Sequence, residues 1–221
     1  MTLEERLQAV RHRIAAACRR VGRAPDEVTT VAITKTVAPA DIIEAYQAGL
    51  RHFGENRVQE AEEKLPSLLQ TMPDATWHMV GHLQTNKARK AADLFAIIHS
   101  VDSIRLAQAL DRCATGKLIV FIEVNVSGEE SKEGVSPDAV ADLAAGVRAL
   151  PNLDLAGLMT VAPQLEDPEA VRPVFRRLKE MRDSLGLLHL SMGMTEDFEV
   201  AIEEGATMIR LGRAIFGPRR E

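Results

Sequence analysis

The chain has 221 residues, 46% hydrophobic and 27% charged, with 14 Gly and 10 Pro; this is the make-up of a globular protein and excludes a disordered or fibrous chain. Acidic residues outnumber basic ones 32 to 27, a net charge of −5, which argues against general nucleic-acid binding, because that affinity comes from clustered Lys and Arg. The longest plainly apolar run, 118–122, falls far short of the ~20 residues that a membrane-spanning helix needs.

The first residues, Met1-Thr-Leu-Glu-Glu-Arg, carry charge where a secretory leader would be apolar. Cys18 and Cys113 form no CxxC pair, so neither a zinc site nor a disulfide framework is expected. Both features fit a cytoplasmic protein with two small thiols in reducing surroundings.

Thr2 followed by Glu5 is a capping-box pattern. Behind it Leu3, Leu7, Val10, Ile14 and Val21 fall at helical spacing, so 3–21 reads as a long amphipathic helix ended by Gly22 and Pro25. From there the pattern alternates. Strands are expected at 28–34, 51–54, 76–80, 95–99, 117–126, 153–160, 189–191 and 207–211. Helices are expected between them: one bracketed by Pro39 and Gly49, then 56–64 stopped by Pro66, 86–94, 103–114, 137–149 opened by Ser136-Pro137, one from Asp167-Pro168 to about 185, and 196–204 closed by Gly205.

Strands alternating with helices through short loops argue for parallel βαβ units. Eight strands is the count that closes a barrel. The expectation is therefore an α/β fold: a single (β/α)8 TIM-type barrel over 1–221 with an extra N-terminal helix. Only ten residues follow the eighth strand, too few for a full eighth helix, and the long first helix is placed to cover the gap. An open doubly wound sheet is the alternative, but no GxGxxG follows any strand.

A barrel gathers its site at the C-terminal ends of the strands. Seven lysines stand against twenty arginines. Lys64, Lys87, Lys90 and Lys179 fall on helices, where a solvated lysine is the default, Lys117 opens a strand, and Lys132 lies in the loop after the fifth strand. Lys35 alone ends an apolar strand, Thr30-Val-Ala-Ile-Thr-Lys35, facing the barrel mouth. Partial burial there disfavours the ammonium form, and a neutral amine is what condensation with a carbonyl requires. The bland alternative is an ion pair with a carboxylate such as Glu123.

Ser191-Met-Gly193-Met-Thr195 runs into a helix start, and Leu211-Gly212-Arg213 follows the eighth strand. Small residues there let backbone N–H groups approach an anion, and the loops after strands seven and eight of barrels often bind phosphate. A lysine opposite a phosphate cradle supplies the two handles that pyridoxal 5′-phosphate needs, one for its aldehyde and one for its phosphate. Arg210 ends the eighth strand and is placed to reach the pyridine nitrogen; a rim ion pair is the alternative for it.

Several other signals read as structure. His78 and His82 lack the HExxH pattern of a metal helix, and His189-Leu-Ser191-Met-Gly193 is not a GxSxG elbow. Lys87, Arg89 and Lys90 read as a solvated helix face, and Glu129-Glu130 as an exposed loop.

The segments Ala32-Ile-Thr-Lys35-Thr, Phe53-Gly-Glu-Asn56-Arg-Val-Gln-Glu60, Trp77-His-Met-Val-Gly-His82-Leu-Gln-Thr-Asn86-Lys, Leu190-Ser-Met-Gly-Met-Thr195 and Ile209-Arg-Leu-Gly-Arg-Ala-Ile-Phe-Gly217 resemble the pyridoxal phosphate homeostasis protein family, in order along nearly the whole chain. The resemblance implies a single barrel like the N-terminal domain of alanine racemase, with Lys35 holding the cofactor as a Schiff base. It implies that Ser191, Gly193, Gly212 and the backbone N–H of Arg213 hold the phosphate, that Arg210 faces the pyridine nitrogen, and that Asn56 and His82 lie near the cofactor. Arg213 departs from the Ser or Thr of many relatives. The expected role is intracellular pyridoxal phosphate homeostasis or delivery with little or no turnover, by a monomer or weak dimer whose partners include pyridoxal-phosphate-dependent apo-enzymes. The alternative is an amino-acid racemase. Racemisation needs an acid/base on each face of the substrate plane. In alanine racemase the second base is a tyrosine from another domain, whereas the one tyrosine here, Tyr46, falls on the helix after the first strand. An aldolase using Lys35 would leave Arg210 unexplained.

Overall fold

Eight parallel strands pair in sequence order, and the eighth returns to pair with the first, closing the sheet into a barrel. They are β1 (Thr29–Ile33), β2 (His52–Glu55), β3 (Thr76–Met79), β4 (Ile97–Val101), β5 (Leu118–Glu123), β6 (Leu153–Met159), β7 (His189–Ser191) and β8 (Met208–Leu211). The structure, a computed structural model, describes residues 1–129 and 132–218; Glu130, expected in an exposed loop, lies outside them.

Helices α1 (Leu3–Arg20), α2 (Pro39–Gln47), α3 (Val58–Thr71), α4 (Ala88–Leu94), α5 (Ile104–Cys113), α6 (Val140–Arg148), α7 (Arg172–Ser184), α8 (Phe198–Glu203) and α9 (Arg213–Phe216) wrap the outside. The barrel thereby has two cores. Most buried side chains lie between the strands and the helices. A smaller group, Val31, Ile97, Phe121, Met159 and Met208, fills the inside of the barrel. This division follows from the alternation of side chains along each strand, which sends one set inward and the next outward.

The first helix takes the place that the short end of the barrel leaves open. Its capping box is complete: Thr2 N–H donates to Glu5 Oε2 at 2.7 Å, and Glu5 N–H donates to Thr2 Oγ1 at 3.2 Å. Leu3, Leu7, Val10 and Ile14 are buried, and the helix packs on α8 and α9. Arg6 Nε donates to the Ile215 carbonyl at 2.6 Å, which ties α1 to the last helix. Arg13 and Arg20 pair with Glu199, and Arg20 also with Glu203. These pairs are substantially exposed and add little beside the apolar face.

Two differences from the expected pattern have clear causes. The third helix does not stop before Pro66 but runs through it to Thr71. Proline removes one intrahelical bond, yet Val58, Ala61, Leu65 and Leu68 keep helical spacing on both sides of it and are all buried; packing of that stripe outweighs the local break. The fourth strand sits two residues later than 95–99, because its inward positions are Ile97 and His99 rather than Phe95, which packs into the outer core.

Candidate functional site

The first strand ends at Ile33, and the chain turns through Thr34, Lys35 and Thr36. Thr36 has φ +61, a left-handed conformation that a β-branched residue rarely adopts. The turn is clamped on both sides of Lys35. Lys64 Nζ donates to the Thr34 carbonyl at 2.8 Å and to Glu60 Oε1 at 2.7 Å, and it lies 3.1 Å from Glu55 Oε1. Thr34 Oγ1 donates to Glu55 at 2.7 Å, and Thr36 N–H donates to Glu60 at 2.6 Å. Lys64 is therefore not the solvated helix lysine that its position suggests; its side chain is only 14% exposed. The strained turn persists because three charged side chains over-determine it. Lys35 itself is half-buried at the C-terminal mouth.

Across the mouth, Arg210 lies on β8 with 5% exposure. Its Nη1 donates to Ser191 Oγ and its Nη2 to the Thr160 carbonyl, both at 2.8 Å. Burial pushes its pKa down to about 10, and Glu123 and Asp197 pull it back up, so the guanidinium stays charged at neutral pH. The rim ion pair, the alternative for this residue, is not what holds it: its hydrogen bonds go to a hydroxyl and a carbonyl, and the two carboxylates act at longer range.

Lys35, Arg210, Gly212 and Arg213 line one cavity of about 690 Å³, together with Ile33, Asp197 and the loop after β6. Gly193 and Ser191 do not line it; both are buried and hydrogen-bonded to Arg210. The two glycines serve different ends. Gly193 has φ +92, and a Cβ there would meet Ala201 Cβ at 2.5 Å, so the fold itself requires glycine. At Gly212 a Cβ would find Ile33 at an ordinary 3.7 Å; the protein has room there, on the cavity wall. Gly212 caps α9, whose first amides, Arg213 and Ala214, have no preceding turn to bond. The Arg213 side chain turns to the surface and pairs with Glu196 at 3.0 Å.

Asn56 and His82 do not line this cavity. Asn56 follows β2, and its Oδ1 is buried without a partner among the described residues. His82 Nδ1 faces Glu133 at 3.5 Å and Asp102 at 3.7 Å.

The residue pattern gave no sign of Asp197 and offered Glu123 only as an ion-pair partner for Lys35. Asp197 is 8% exposed and accepts the Met194 N–H at 2.6 Å, which shapes the loop after β7. Burial raises its pKa. Glu123 ends β5 with 7% exposure, and its Oε2 has no partner among the described residues. Burial lifts its pKa to about 7; Arg210 opposes that rise, while Asp102 and Glu133 add to it. Because the folded value lies above the ordinary 4.5, the stability that Glu123 contributes is fully present below about 4.5 and is lost as pH rises to about 7, on the order of 3 kcal/mol. Glu123→Gln stays neutral. Urea unfolding at about pH 5 and pH 8 is expected to show a wild-type loss that the variant lacks. Parallel curves for the two proteins would mean that Glu123 ionises in the native state as it does in the unfolded one.

The sequence profile of the family described as "Alanine racemase, N-terminal domain" matches residues 6–220, which puts this barrel in that class. The pyridoxal phosphate homeostasis protein of Aquifex aeolicus is 47% identical over 225 aligned residues, covering 98% of both chains. PipY of Synechococcus elongatus, solved with PLP bound, superposes with a TM-score of 0.81 at 37% identity, covering 98% of this chain and 100% of its own. A protein of unknown function from Bifidobacterium adolescentis superposes with a TM-score of 0.92 at 36% identity, covering 96% of this chain and 94% of its own. The chain belongs to the pyridoxal phosphate homeostasis protein family. Among the described residues no helix is long and apolar enough to cross a membrane.

Proposed function

We propose that this protein binds pyridoxal 5′-phosphate through a Schiff base on Lys35 and serves its intracellular homeostasis or delivery, as a cytoplasmic protein with little or no turnover. The observation that carries this reading is the meeting of Lys35, Arg210, Gly212 and Arg213 around one cavity. The cavity fits the group: a lysine at one wall, a charged guanidinium at another, and a glycine whose missing side chain leaves the wall open. Lys35 holds the aldehyde end. The loops at Gly193 and Gly212, with the Arg213 N–H, take the phosphate. Arg210 faces the ring nitrogen from below, braced by Ser191, while Asn56 and His82 stand off the cavity wall. When bound, the group would supply an electrophilic carbon open to exchange with an incoming amine and a conjugated ring that accepts electrons from the carbon next to that amine.

A specific observation favours storage over racemisation. Tyr46 lies on α2 outside the barrel, where its hydroxyl donates to Asp74 and Arg51 stacks on its ring at 4.3 Å. It cannot serve the second face of a substrate in the mouth. The test is a stoichiometry and turnover assay on the purified protein. One pyridoxal phosphate per chain, with no racemisation across a panel of amino acids, is expected; enzyme-like racemisation of any of them would replace this reading with the racemase.

Gly212 separates phosphate affinity from folding. Its neighbours accommodate a Cβ, so Gly212→Ala is expected to keep the wild-type melting temperature. It should weaken pyridoxal phosphate far more than pyridoxal, which lacks the phosphate. Equal losses of both ligands in a titration would place the phosphate elsewhere.

A further inference from the structure

Three histidines that the proposed binding role leaves unused run in file through the barrel. His52 opens β2, at the N-terminal end of the barrel, and is half-buried; His78 on β3 and His99 on β4 are fully buried. His52 Nδ1 lies 3.0 Å from His78 Nε2, His78 Nδ1 2.9 Å from His99 Nε2, and His99 Nδ1 2.8 Å from Ser191 Oγ. Ser191 Oγ also receives the Arg210 Nη1 bond at 2.8 Å. The file therefore climbs from the lower rim, crosses to β7 and ends on the arginine at the mouth. The rings are held in place: successive imidazole centroids are 5.2 and 5.1 Å apart, and His99 stacks on Phe121 at 4.6 Å with 2° between planes.

The direction of every bond in this file follows from its last member. A guanidinium has donors only. Ser191 is fully buried, so its hydroxyl proton needs an acceptor, and its other neighbour in the file is His99 Nδ1. Ser191 therefore donates to His99, which must carry its own proton on Nε2. That proton goes to His78 Nδ1, so His78 also carries its proton on Nε2 and donates to His52 Nδ1, leaving His52 in the same form. A second proton on any ring would turn an acceptor into a donor and break the file. Burial opposes that proton throughout: it depresses His52, brings His78 down to about 3 and holds His99 well below the usual imidazole range.

We propose that His52, His78 and His99 form a tautomer-locked chain that pins the Ser191 hydroxyl and through it aims the Arg210 guanidinium at the ligand, which makes His99 a positioning residue. The chain's reading as an aiming device rests on Arg210 facing the bound ring, as proposed above; the locked tautomers do not.

Long-range ¹⁵N–¹H correlation of the full-length protein at pH 7, with and without pyridoxal phosphate, reads the chain directly. All three rings are expected neutral with the proton on Nε2. An Nδ1–H or cationic form at His78 or His99 overturns the proposal. Arg210→Met removes the donor that sets the direction, and mixed tautomers at His99 are expected; a pattern unchanged from wild type overturns the propagation. The aiming role is read from the loaded protein. His99→Leu deletes the acceptor for Ser191 and is expected to raise the dissociation constant about tenfold, the effect of one misdirected charged hydrogen bond, and to shift the absorption band of the bound cofactor. His99→Asn offers an oxygen close to the place of Nδ1 and is expected to restore both. Wild-type affinity and absorption in His99→Leu overturns the positioning role. If wild type fails to bind pyridoxal phosphate while the tautomers stand as stated, the proposed function fails and the chain does not.

Discussion

Lys35→Ala is expected to abolish covalent retention of pyridoxal phosphate while leaving the barrel folded. The clamp that shapes its turn is made by Lys64, Glu55 and Glu60 on the hydroxyl and carbonyl of Thr34 and the backbone N–H of Thr36. Borohydride reduction of the loaded wild type followed by peptide mapping is expected to place one pyridoxyl group on Lys35. The competing lysine nearest in chain logic, Lys132, is engaged at 3.0 Å by Glu129 and at 3.3 Å by the Val161 carbonyl. A minor adduct there is compatible with the reading. A main adduct on Lys132 or Lys87, or an unchanged visible spectrum in Lys35→Ala, would remove Lys35 from its role.

Replacing Arg210 is expected to have the largest effect on stability. Arg210→Met leaves Ser191 Oγ without its donor, Thr160 O without its donor, and the buried Glu123 and Asp197 carboxylates without their nearby cation. Removing one member of a buried charged group costs about 3–5 kcal/mol, and chemical denaturation measures it. Arg210→Gln keeps a hydrogen-bonding amide and is the variant for chemistry. Arg210→Glu would instead put a third carboxylate beside Glu123 and Asp197 and would test folding. A guanidinium has only donors and stays charged, so against the ring nitrogen it withholds the proton that would strengthen the ring as an electron sink. Exchange of the alanine Cα proton in deuterated water, at saturating cofactor, is therefore expected to be faster in Arg210→Gln than in wild type. Saturation matters because the lost contact costs about 1.5–3 kcal/mol of affinity. Enzyme-like exchange in wild type would end the storage reading. Full binding by the variant with unchanged spectrum and exchange would show that Arg210 does not touch the ring.

What the sequence by itself determined is the part governed by short-range rules. The alternation of β-branched runs with capped amphipathic helices carried the closed barrel, and the capping box at Thr2 with its Leu3, Leu7, Val10, Ile14 stripe carried the helix that closes its outside. Lys35, Arg210, Gly212 and Arg213 were legible because strand ends point at the mouth of such a barrel, and the structure brings these four to one cavity. Tertiary structure alone decided the rest. Pro66 stops a helix in isolation, but a buried stripe spanning it does not stop. Lys64 looks solvated on its helix, yet a fully buried Glu55 from the neighbouring strand draws it under the Lys35 turn. Gly193 looks like an opening for a ligand, and its first duty is to let the chain pass Ala201. The histidine file is invisible in the sequence, because His52, His78, His99 and Ser191 stand far apart along the chain. They meet only because strand tilt and closure stack inward side chains from different strands in successive layers. Pairing across the barrel axis is a property of the closed sheet, and no local pattern encodes it.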